Sequence, residues 1–330
     1  MGIATLTRLS VYAFSLVPAV AQKPQDAAHK RKAQPPAALE DAALDKKLDA
    51  FREEIAKKMV PARVAAKGER RVQAWLKSFQ VVQGKHYHVF TNGPKTTVKR
   101  FAQSLEQLYD FTKKLWPFEE LSHHHRAYVF ASAEEYYDFC TQVVGWSRVQ
   151  AERSAGHATG AYYAAYYQSP KSETVMHEAT HQIVHANLGI SGVGSWFQEG
   201  MAEYAANTIL GSKVSGGMRS DLRNGSYYPF AEFIAIPSLI ADKHSSRNYT
   251  HAGCIIEFMM KTGEPRMAGK FHKLLAEAAQ RRYAWSRGTE ASRDLLKKVY
   301  GMTFEELEAA FLRFHRVKPK KRRPRPTPVR

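Results

Sequence analysis

Apolar residues recur at three- and four-residue spacing through much of the chain, and runs of β-branched and aromatic residues interrupt that rhythm only in its first half. Leu44, Leu48, Phe51 and Ile55 mark a helical arm that Pro61 interrupts. The run from 81 to 91 (VVQGKHYHVFT) reads as strand. A helix follows over 97–116, with Phe101, Leu105, Leu108 and Phe111 on one face. RAYVFA, 126–131, is a further strand, and Ser132 with Glu135 three residues later has the spacing of a capping box that starts a helix. HATGAYYAAYY, 157–167, reads as one more strand. It leads through Ser169-Pro170 into a helix containing TVMHEATHQIVHANLG, proline being tolerated at a first turn. Helical spacing returns over 195–210, 249–261, 270–280 and 304–317. No segment repeats another. This order predicts an α+β fold: a small strand–helix N-terminal lobe and a mainly helical C-terminal lobe.

The ends carry a different pattern. Residues 1–21 place Arg8 before an apolar run from Leu9 to Val17, then Pro18 and Ala19-Val20-Ala21, the layout of a cleavable export signal cut after Ala21. Residues 22–38 read as a linker, 39–80 as the helical arm, 81–317 as the folded domain and 318–330 as a basic disordered tail. No later segment offers some 18 consecutive apolar residues, so no transmembrane segment is expected after signal cleavage and the mature protein should be exported: periplasmic, envelope-bound or secreted.

Charge sharpens this picture at the ends. The formal net charge is +18, and VKPKKRRPRPTPVR concentrates part of it at the C-terminus, where an anionic polymer or an envelope surface is the partner it suits. No nucleic-acid-binding motif accompanies it. Cys140 and Cys254 are the only cysteines, either bonded to each other or two small buried residues, and no CxxC pair offers a thiolate metal site.

The chemistry begins in HEATH. His177 and His181 lie four apart on a helix, hence on one face and about one turn from each other, so both imidazoles can reach one ion. Glu178 lies about 100° round the helix, beside such an ion and placed to take a proton from its water. A catalytic zinc needs a third protein ligand and an open position. A metzincin would have glycine at 184 and histidine at 187, where this chain has Val184 and Asn187. His185 lies eight residues from His177, too far along the axis to share its ion. Glu199, in WFQEGMAEY, follows His181 across the turn-rich NLGISGVGS, so a second helix can bring it back. Gly200 and Ala202 would let the two helices approach. Glu203, one turn beyond Glu199, is placed to accept from a ligand histidine's second nitrogen.

HEATH followed by WFQEGMAEY resembles the gluzincin, or peptidase MA-like, zinc metallopeptidases, and within them an uncharacterised bacterial group of exported domains. The likeness covers roughly 81–317 and includes a closing GMTFEELEAAF helix. It implies one zinc per chain on His177, His181 and Glu199, Glu178 as general base, and an active-site cleft between the two lobes. Aminopeptidases of that superfamily carry Gly-x-Met-Glu-Asn before the metal helix. Here Gly160-Ala161-Tyr162-Tyr163 lacks its acid, which points to internal cleavage of a peptide or protein substrate. Tyr249 or His251 is the expected donor to the oxyanion. Tyr162, Tyr163, Tyr166 and Tyr167 are candidate walls of a groove along an edge strand. The competing reading is an inactive zinc-holding module that binds envelope material through its basic ends.

Overall fold

A strand whose two faces differ in cover must alternate in burial, and Tyr87, Val89 and Thr91 are buried while His88 and Phe90 are half-buried. The computed structural model describes residues 79–317 apart from 167, 168, 170, 171, 240, 241, 243 and 281–288. The expected leader, linker and basic tail lie outside the described residues, as do nearly all of the helical arm, Pro170 and Tyr167.

The fold is α+β. Five strands form one sheet in the order β1 (Gln80–Gln83), β2 (Tyr87–Thr91), β3 (His125–Phe130), β5 (Tyr163–Tyr166) and β4 (Gly156–Ala158). β2, β3 and β5 run parallel, and the two outer strands pair antiparallel. Helix α1 (Lys95–Leu115) crosses between β2 and β3; α2 (Ala133–Phe139), a π-helical turn (Cys140–Val144) and α3 (Arg148–Glu152) lie between β3 and β4. The Ser132–Glu135 capping box at α2 is present in both directions. From Glu173 onward the described elements are helices: α4 (Glu173–Leu188), α5 (Ser195–Ile209), α6 (Val214–Asn224), α7 (Phe230–Ile234), α8 (Ser245–Lys261), α9 (Phe271–Ala278), α10 (Thr289–Tyr300) and α11 (Phe304–Phe314).

The stretch expected to be a single strand over 157–167 is a hairpin. Thr159 Oγ1 accepts from the backbone N–H groups of Ala161 and Tyr162 at 3.1 and 3.0 Å, folding the chain between β4 and β5. This overturns the tyrosine groove along an edge: β5 is paired on both sides, and β4 is the edge. Tyr163 is fully buried, and Tyr162 and Tyr166 pack on Tyr128, Phe139, Tyr136 and Tyr137 as part of an aromatic cluster under the sheet. Cys140 belongs to that cluster and Cys254 to the larger core; both are buried free thiols, so no disulfide joins them.

α4 is buried on nearly every face, unlike a surface helix with a single apolar stripe. Ser172 caps its start by accepting from Val175 N, and Gly189 closes it in the left-handed region that glycine adopts without strain. Its polar residues must therefore find partners inside the protein. Thr180 donates to Met176 O, Gln182 donates to Arg126 O on β3 at 3.2 Å, and Asn187 Oδ1 lies 2.8 Å from His125 Nε2. The last two bonds lock the helix to β3.

Candidate metal centre

α4 and α5 bring three donor atoms to one point. His177 Nε2 lies 3.0 Å from Glu199 Oε2, His181 Nε2 lies 3.1 Å from His177 Nε2, and His181 Nε2 lies 3.3 Å from Glu199 Oε2. The two imidazole planes are turned 79° to each other, so neither ring blocks the other's nitrogen. Zinc bonds of about 2.0–2.1 Å in tetrahedral geometry hold neighbouring donors about 3.3–3.4 Å apart. The observed triangle is only slightly tighter, so its residues fit a small divalent ion with the fourth corner of the tetrahedron left open. Among the described residues this is the one cluster of three such groups with that convergence.

Its electrostatics point the same way. Burial lowers the Glu199 carboxyl's affinity for charge, yet His181 and His177 together bring its pKa down to about 2, keeping it ionised. Burial also opposes charge on His177, but hydrogen bonding to Glu199 and Glu203 outweighs it and holds that imidazole well above the ordinary value. His181 is held below it, by burial first. The pair thus stabilises one positive charge where an ion would supply it.

Glu178 is 2 % exposed, and its Oε2 is buried without a hydrogen-bond partner. Burial, aided by the Glu199 charge and opposed by His177, pushes its pKa up to about 8. Glu203 Oε2 stands 3.6 Å from His177 Nδ1, and its other oxygen accepts from Asn207 Nδ2 at 3.0 Å. Asn207 belongs to no motif in the sequence; its one signal is that it lies four residues after Glu203, the spacing that puts two side chains on one helix face.

Helix α8 braces this arrangement, and the glycines show how. A Cβ on Gly200 would stand 2.7 Å from Ala252 O, and one on Gly253 would stand 2.8 Å from Glu203 Cγ. Gly200 therefore permits contact of α5 with α8, not with the HEATH helix as expected, and Gly253 makes room for Glu203.

The entry to α5 is held from far along the chain. Val193 sits at positive φ, an outlying conformation for a β-branched residue, and Gly194 follows it at positive φ. Ser292 of α10 donates to Val193 O and accepts from Trp196 Nε1 at 3.2 Å, fixing the turn that aims Glu199.

The two expected oxyanion donors part company. Tyr249 lies at the cluster, its ring 5.6 Å from that of His177, and its hydroxyl is held well above the usual tyrosine pKa by burial and then by Glu199, Glu178 and Glu203. His251 does not lie there. Two residues on, it is about 200° round the helix, and its ring packs on Phe233 at 4.2 Å and near Phe311 at 5.7 Å, inside the aromatic core. His185, one turn past His181, is not a member of the donor triangle.

No family model matches this chain, and no curated protein does. Similar solved structures include a mutant of the M1 zinc metallopeptidase from Deinococcus radiodurans, with 16% identity and a TM-score of 0.42 over 76% of this chain and 53% of that one. Another is a mutant of a two-domain M1 zinc metallopeptidase bound to L-tryptophan, with 16% identity and a TM-score of 0.42 over 76% and 52%. The chain spans about half the length of either.

Proposed function

We propose that this protein is a zinc-dependent peptidase that cuts within polypeptide chains. The observation that carries the reading is the convergence of His177 Nε2, His181 Nε2 and Glu199 Oε2 within 3.0–3.3 Å, with the buried carboxyl of Glu178 next to it on α4. His177, His181 and Glu199 would hold one zinc per chain. When bound, that ion supplies a Lewis acid for the scissile carbonyl and lowers the pKa of a neighbouring water.

The chain's own groups do the rest. Glu178 takes the proton from the attacking water and returns it to the leaving amide nitrogen, ending each turnover as it began. Tyr249 donates from its hydroxyl to the oxygen that gains charge. Glu203 orients His177 through Nδ1, directing Nε2 at the ion. Export fits the leader-like segment that ends at Ala21, and N-terminal sequencing of the mature protein should begin at Gln22.

The test separates holding the ion from using it. Glu178→Gln should keep its zinc, measured by elemental analysis, while casein hydrolysis falls by about 10²–10⁴-fold. His177→Ala or Glu199→Ala should lose both metal and activity. Casein cleavage by Glu178→Gln at the wild-type rate would sink the reading.

A further inference from the structure

Glu203 faces the donor triangle through the far side of one imidazole: its Oε2 stands 3.6 Å from His177 Nδ1, while His177 Nε2 meets Glu199 Oε2 at 3.0 Å. A separation of 3.6 Å is too long for a hydrogen bond that could fix either partner by itself. A glutamate side chain turns about several bonds, so the direction of Oε2 depends on what holds the rest of it.

Two neighbours do so. The backbone of α8 closes on the stem, since a Cβ on Gly253 would stand 2.8 Å from Glu203 Cγ. Asn207 grips the head: its Nδ2 donates at 3.0 Å to Glu203 Oε1 and at 3.0 Å to the Glu203 backbone oxygen. The amide is thus tied to the main chain of the residue it holds, and pinning Oε1 leaves Oε2 turned to His177.

A nearby charge works against that aim. Glu173 lies one turn before His177 on α4, and partial burial, then the Glu203 charge, hold its carboxyl above the ordinary value, opposed by His177 and by a hydrogen bond to Asn207. An amide donating into this pair of carboxylates offsets their repulsion, which an apolar side chain would leave in force.

We propose that Asn207 is a positioning residue of the metal centre: by fixing Glu203 Oε1 it sets the direction of Oε2, and so the orientation in which the His177 ring meets the ion. The proposal rests on the metal-holding half of the peptidase reading and extends it to a side chain outside the donor triangle.

Competitive zinc titration of the full-length protein tests this with two substitutions. Asn207→Ala removes the donor, and Asn207→Leu removes it while keeping the volume. Asn207 is half-buried in the last turn of α5, so both variants should fold. Each should bind zinc roughly 10–100-fold more weakly than wild type, the usual effect of losing a group that orients a metal-bound histidine. A role confined to packing would add its loss to that of any other change, whereas a role exerted through Glu203 disappears with that carboxylate. In Glu203→Gln protein, itself weakened, neither substitution at 207 should therefore cost more than about two-fold further. Wild-type zinc affinity in both single variants, or losses that add in full to that of Glu203→Gln, overturns the proposal and leaves the peptidase reading standing. A wild type that takes up no zinc overturns the two together.

Discussion

Tyr249 and His251 stand two residues apart on one helix and answer to different physics. Tyr249 is within reach of three carboxylates, so Tyr249→Phe should lower kcat by roughly 10²–10³-fold with zinc content unchanged, the scale of losing one oxyanion donor. His251 is 1 % exposed among Phe233, Tyr227 and Phe311. His251→Leu should leave casein hydrolysis at the wild-type rate once the protein is folded. Steady-state kinetics on the two variants checks both. A sequence distinguishes the pair only through helical phase: Ala252, Ile255 and Ile256 all lie inward, and the apolar stripe is too broad on a helix buried from several sides to assign one histidine to site or core. The α4 motif escaped that ambiguity, because two histidines and a glutamate on a helix with so little exposed surface need a reason to be there. Glu199 was legible from the turn-rich spacer and the following glycine, but the contact that glycine makes was not.

At the scale of elements, the α5–α8 contact governs the site, though neither helix is the HEATH helix. Gly200→Ala places a methyl 2.7 Å from the Ala252 carbonyl oxygen, which neither backbone can yield cheaply. Overpacking of this kind costs about 1–3 kcal/mol. The variant should melt several degrees lower and bind zinc less tightly, since α5 can relieve the clash only by carrying Glu199 away. Thermal melts and a competitive zinc titration read the two effects separately. Elements with strong local signals were legible in advance: α2 through its Ser132–Glu135 box, α1 through its apolar face, α5 through WFQEGMAEY. α6 was not, because VSGGMRSDLRN holds two glycines and few apolar residues and gains its helicity from packing on α8. α7 is five residues long, too short for periodicity to register. The β4–β5 hairpin looked like one strand because its turn depends on the Thr159 hydroxyl, a local bond that an apolar pattern does not encode.

Over the whole molecule, several buried histidines are kept neutral. Burial lowers His125 to about 4, where its bond to Asn187 opposes the shift, and lowers His157 and His251 to about 3 each. Their ordinary value is near 6.5, so an unfolded chain takes up these protons first as the pH falls. Stability from this source is complete above pH 6.5 and drains away between there and about pH 4 to 3, each histidine contributing a slope of up to about 1.4 kcal/mol per pH unit. The urea midpoint should drop steeply between pH 7 and pH 5, and His251→Leu should flatten that dependence. A midpoint insensitive to pH over this range would show that these imidazoles take up protons without leaving the core.

The Ser292 clamp on Val193 has a temporal meaning. The turn that aims the third candidate metal donor is tied to a residue 99 positions downstream, so α10 must be made and docked before that donor is locked in place. A site wired in this way assembles late, only after a segment far from its own motif has been made and has folded.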